Sequence, residues 1–116
     1  MGTFTIIVND PPHGTERSWN ALRLAEALLV GEAEVRIFLL GDGVTAAKQG
    51  QATPKGYYNL EQMLQKLIEK GATVRACGSC LQARGLNPEE LVPGVERGRM
   101  LELAQWTKES EKAIVF

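Results

Sequence analysis

Cys77 and Cys80 stand two residues apart in the stretch TVRACGSCLQARG (73–85), and the chain has no other cysteine. A C-x-x-C pair can serve as zinc ligands, a permanent disulfide, inert packing or reactive thiols. Structural zinc needs four ligands; two cysteines and one histidine, His13, fall short within one subunit. No metal is therefore expected. A permanent disulfide belongs to an oxidising compartment. The N-terminus MGTFTIIVND has neither the basic start nor the cleavage site of a signal peptide, so the expected location is cytoplasmic. Inert buried cysteine is the bland alternative, and it sits poorly with Gly78 and Ser79 between the thiols and with Gln82 and Arg84 just beyond.

A reactive thiol needs help to ionise. At an ordinary pKa of about 8.5, only a few per cent is thiolate at neutral pH. Helix-terminus dipoles supply ~0.3–1 kcal/mol, under one pKa unit. Arg75 and Arg84 lie close in sequence and add positive charge. The expectation is a modestly activated thiol, suited to exchange chemistry because an attacking thiol works best with a pKa near the ambient pH. That chemistry requires no metal and no organic cofactor.

The elements that would position these thiols follow from hydrophobic periodicity. FTIIVND (4–10) is an apolar, β-branched run that suits a strand buried on both faces. Trp19, Leu22, Ala25, Leu28 and Leu29 recur at helical spacing over residues 15–30, with Thr15 as the expected N-cap and Gly31 as the stop. EVRIFLL (34–40) is a second strand, followed by Gly41-Asp42-Gly43, a short helix over residues 44–48 and a long polar excursion over residues 49–58. Asn59 and Gln62 open a helix whose apolar stripe is Leu60, Met63, Leu64, Leu67 and Ile68. TVRAC (73–77) is a third strand, with a helical turn at Leu81 to Arg84 and another turn opening at Asn87-Pro88. VPGVERG (92–98) reads as irregular with one short strand at its centre; a helix over residues 100–108 and a strand over residues 112–116 close the chain.

Alternating β and α units of this length predict a parallel sheet with helices on both faces, in a single domain over residues 1–116. In such a sheet, chemistry collects at the carboxyl ends of the strands. Three exits then share one edge: NDPPHGT, with His13 and Gly14; GDG; and Cys77. Gly14 before a helix can present backbone N–H groups to an anion, although a turn after two prolines needs glycine anyway. GDG lacks the spacing of a dinucleotide or P-loop site.

A net charge of −1 and the absence of a basic, aromatic-rich cluster argue against direct nucleic-acid binding. The apolar runs are far shorter than the ~20 residues that span a bilayer, so no membrane partner is expected. Met100, Leu101, Leu103, Ala104 and Trp106 cover most of the circumference of the last helix, which then needs cover on more than one side; a subunit interface is one source of it.

PHGTE, FLLGDGVTAAKQGQ, GYYNLEQML, ACGSCLQARG and LELAQWT run in an order that resembles the DsrE/DsrF-like family, across essentially the whole chain. The resemblance implies a three-layer α/β/α sandwich with a mostly parallel sheet of about five strands, assembled as a trimer or hexamer. It also implies a sulfur-relay role in which a cysteine after the third strand accepts and passes on persulfide sulfur, with donor and acceptor proteins as partners. Cys77 matches the relay position by its distance to Arg84-Gly85, whereas Cys80 departs from the single-cysteine relay pattern. A second thiol there can resolve a persulfide on Cys77 by forming a disulfide and releasing sulfide. The leading expectation is a cytoplasmic sulfur carrier or sulfurtransferase using Cys77 and Cys80, with His13, Gly14 and Arg84 as binding residues. Its rivals are a thiol-disulfide oxidoreductase and a non-enzymatic oligomeric binding module.

Overall fold

Residues 2–116 are described by a computed structural model. Five strands, β1 (Thr3–Val8), β2 (Glu34–Leu39), β3 (Thr73–Cys77), β4 (Val95–Gly98) and β5 (Lys112–Val115), form one sheet in the order β4-β3-β2-β1-β5. Every described strand pair is parallel. Four helices connect them: α1 (Arg17–Val30), α2 (Leu60–Glu69), α3 (Gly78–Ala83) and α4 (Met100–Glu109).

The topology follows from right-handed crossovers. From β1 to β3 the chain steps outward in one direction, placing α1 and α2 together on one face. From β4 it returns across the whole sheet to β5, so α4 lands on the opposite face. Alternation along β2 serves both layers. Val35, Ile37 and Leu39 are buried on one face, while Phe38 on the other meets the edge of the Trp106 ring at a centroid distance of 5.8 Å. Thr5, fully buried on that second face, shares a 2.6 Å hydrogen bond between its hydroxyl and that of Ser110 at the end of α4.

Local differences from the sequence reading have physical causes. Helix α1 begins at Arg17, with Glu16 rather than Thr15 at the cap position. The Thr15 hydroxyl instead donates to Asp10 Oδ2 at 2.7 Å and accepts from the Arg17 N–H at 3.3 Å, while the Ser18 hydroxyl donates to the Asp10 carbonyl at 2.6 Å. The entry loop is thus tied to Asp10, which moves the helix start along the chain. Helix α2 starts as expected, with the Asn59 side chain accepting from the Gln62 N–H at 3.1 Å. The expected short helix at 44–48 is a 3₁₀ helix, Gly41–Ala47. The polar excursion is pinned by Gln51, whose Nε2 donates to the carbonyls of Ala46 and Lys48, both at 2.9 Å, and whose backbone N–H donates to Glu61 at 2.8 Å. The strand expected at the centre of 92–98 occupies its end, at Val95–Gly98.

Candidate functional site

Cys77 is the last residue of β3 and the N-cap of α3, so the helical segment expected to begin at Leu81 begins one turn earlier. Its Sγ accepts from the Cys80 backbone N–H at 3.4 Å and lies 3.4 Å from the Ser79 hydroxyl. This satisfies a helix-terminal N–H that has no partner inside the helix. Both cysteines are free thiols, Cys77 buried and Cys80 half-buried.

Cys80 is held from a different strand exit. Its Sγ accepts from the Gly41 N–H at 3.2 Å, where Gly41 takes a φ of +53° that glycine adopts without strain. Gly43 in the same turn lies so close to the Val8 carbonyl that a Cβ has no room there. Arg84 completes the link: its Nε and Nη2 donate to Asp42 Oδ1 at 3.1 and 2.8 Å, and its Nη1 donates to the Cys80 carbonyl at 3.0 Å. The GDG turn therefore acts as a bracket for the thiol pair.

The two thiols are driven apart in acidity. Burial works against a charge on Cys77, but hydrogen bonding from the Cys80 thiol, from the Ser79 hydroxyl and from the backbone of both outweighs it. The net direction is below the ordinary thiol range. Burial pushes the Cys80 thiol up, its bond to Cys77 adds to this, and the Gly41 N–H and the Arg84 charge offset only part. The two directions order the pair, with Cys77 the more acidic of the two thiols.

A cleft of about 610 Å³ opens beside Cys77, between the start of α3 and the junction of β4 with α4. Gly78, Ser79, Arg97, Arg99, Met100 and Glu102 contribute to its walls. Two glycines in its wall are packed too closely to carry a side chain. The Arg97 side chain lies across the Cα of Gly78, and a Cβ on Gly98 would come 2.8 Å from the Phe38 ring and 3.0 Å from the Arg75 Cβ.

His13 and Gly14 lie elsewhere. His13 is exposed and stacks on Tyr58 at a centroid distance of 5.6 Å; Tyr58 in turn stacks on Trp19 at 5.2 Å. It lines a separate cavity of about 310 Å³ with Thr45, Lys48 and Gln51. Among the described residues no hydrogen bond or ion pair joins His13 to either cysteine, and neither cysteine is among the residues lining the cavity beside His13. Gly14 is exposed with φ +115° and nothing within 4 Å of where a Cβ would sit, as the plain turn reading expects. Arg84 reaches Cys80 through its backbone, and Arg75 is engaged by Glu96 at 2.6 Å. Sequence reasoning missed Arg97, Arg99 and Glu102. Their signal was VERGRM: read as a strand ending at Gly98, it becomes the neighbouring carboxyl-end exit to Cys77, with which Gly98 pairs in the sheet.

Among the described residues no group of three or more His, Cys, Asp or Glu side chains is placed to hold a metal ion, and no helix is long and apolar enough to cross a membrane. A family model described as DsrE/DsrF-like matches residues 3–116. The chain is 41% identical to Protein YchN of Escherichia coli over the full length of both, and the fold matches the YchN crystal structure with a TM-score of 0.94 over 100% of each chain. An uncharacterized protein of Methanopyrus kandleri is 45% identical over 100% of this chain and 95% of its own. A protein of Pseudomonas aeruginosa named as a sulfurtransferase TusD homolog is 34% identical over 108 residues, covering 87% of this chain and 82% of its own.

Proposed function

The chain belongs to the DsrE/DsrF-like family, and from that premise we propose that it is a small sulfur-handling protein whose Cys77 accepts a persulfide sulfur and passes it on. The similarity to a protein named as a sulfurtransferase supports the sulfur-transfer theme. The observation that carries the mechanism is the unequal pair: Cys77 is eased toward thiolate beside the cleft while Cys80 is held as a thiol.

The chemistry balances without a cofactor. The Cys77 thiolate attacks the terminal sulfur of a donor R–S–SH, the new S–S bond forms, the donor S–S bond breaks, and RS⁻ leaves with the electron pair. Cys77–S–SH then meets an acceptor thiolate, which takes the outer sulfur and expels the Cys77 thiolate. A leaving thiol of lowered pKa departs faster, so the hydrogen bonds that favour ionisation also favour release. The reading places the protein in a reducing, cytoplasmic setting where both cysteines stay free. It includes a homo-oligomer, trimer or hexamer, supported by Met100 and Leu101 on α4, 61% and 73% exposed, and by Val115 on edge strand β5.

Incubation with a persulfide donor followed by mass spectrometry is expected to show a gain of one sulfur on the Cys77 peptide. No adduct, or an adduct unaffected by Cys77→Ser, overturns the proposal. A second reading, thiol-disulfide exchange, draws on the same inequality, since a low-pKa attacking thiol beside a higher-pKa partner suits it. Redox titration separates the two: a reversible Cys77–Cys80 disulfide at a biological potential favours exchange, and independent thiols remove it.

A further inference from the structure

We propose, resting on the sulfur-transfer reading above, that the cleft accepts sulfur from a low-molecular-weight persulfide bearing a carboxylate, which Arg97 and Arg99 bind while its terminal sulfur meets Cys77. The arginine pairing throughout the chain argues for it. Arg17 pairs with Asp10, Arg36 with Glu34 and Glu109, Arg75 with Glu96 and Glu102, and Arg84 with Asp42, while Arg23 donates to Asn20 and covers Trp19. Among the described arginines only Arg97 and Arg99 have neither a hydrogen-bonded side-chain partner nor an ion-pair partner, and both line the cleft beside Cys77.

The one carboxylate in that wall does not neutralise them. Glu102 Oε1 accepts from the Arg99 backbone N–H at 2.8 Å, and its Oε2 faces Arg75 Nη1 at 3.9 Å. Two guanidinium groups remain to compensate an incoming anion, and their planar forks match a carboxylate in two-point contact. The volume of about 610 Å³ falls within the range of small-molecule sites. Arg97 is also guided. Gly78 has no side chain, and the Arg97 stem and guanidinium occupy the space where its Cβ would be, which sets this side chain over the first residue of α3, the residue that follows Cys77.

Transfer is a displacement. The Cys77 thiolate forms a bond to the sulfane sulfur, the donor S–S bond breaks, and the carboxylate-bearing thiolate leaves and takes a proton from water. Anion capture thus acts on binding and orientation and supplies no electrons.

The test compares the persulfides of N-acetylcysteine and N-acetylcysteine amide, which differ in one charge. Each rate of sulfur gain on Cys77 is divided by that donor's rate with a free small thiol. The acid is expected to load at least about tenfold faster than the amide, the size of a charge-assisted hydrogen bond. This preference should fall with added salt and approach one in the Arg97→Gln/Arg99→Gln variant. Equal normalised rates in the unaltered protein, or a preference that survives in that variant, overturn the inference and leave the sulfur-transfer reading standing. Loading by neither donor removes both.

Discussion

The exits of β1 and β3 lie on the same edge of one sheet, yet they are built differently. At the β3 exit, two sulfurs receive backbone N–H groups from separate segments, flanking glycines are packed where a Cβ would collide, and a cleft adjoins the thiol. At the β1 exit, beside the point where the strand order reverses, His13 and Gly14 are exposed and the imidazole stacks on Tyr58 without a hydrogen bond among the described residues. Topology alone favours the reversal point as a ligand site. The difference teaches that a shared edge does not give two strand ends the same surroundings: the donors packed around each distinguish them.

The sharpest way to break this contrast is to remove each candidate nucleophile or base in turn. Cys77→Ser is expected to abolish sulfur loading, whereas His13→Ala leaves it within about twofold; comparable losses in the two would show that the β1 exit takes part in the chemistry. Next in size comes the packing beneath the cleft. Gly98→Ala drives a methyl into Phe38 and the Arg75 stem, for an expected loss of about 1–3 kcal/mol in denaturant unfolding, as overpacking typically costs. An unchanged midpoint would mean that the cleft floor yields easily and is not a fixed scaffold.

The smallest effect is on pH. Since hydrogen bonds lower the Cys77 pKa and burial raises that of Cys80, alkylation followed by peptide mapping should label Cys77 with a lower midpoint than Cys80. Reversed order would sink the assignment of roles. Arg84→Gln should move the Cys80 midpoint upward, because the guanidinium charge favours its thiolate, while shifting Cys77 less.

Much of this was legible in the chain because strand runs such as TIIV and RIFL, and the stripe from Leu60 to Ile68, carry their burial in their own spacing. The parallel sheet followed from alternation, and with it the placement of GDG beside Cys80. What local pattern did not carry was the β4–α4 junction. Val95–Gly98 is a four-residue strand with two exposed charged residues, so its strand character comes from pairing with β3 and leaves almost no periodic signature. Arg97 and Arg99 stayed hidden for that reason. The Thr15 cap shifted by one residue for a related one: its hydroxyl accepts from the Arg17 N–H but is also tied to Asp10 in the entry loop, and that tie is invisible without the loop geometry.

Cys77 has two duties in one atom, since the sulfur expected to carry cargo is also the acceptor that fixes where α3 starts. A group added to that atom would change the acceptor on which the first turn of α3 rests, one residue before the buried Leu81. Occupancy would then be written into the backbone itself, giving a docking partner a difference in shape by which to tell a laden carrier from an empty one.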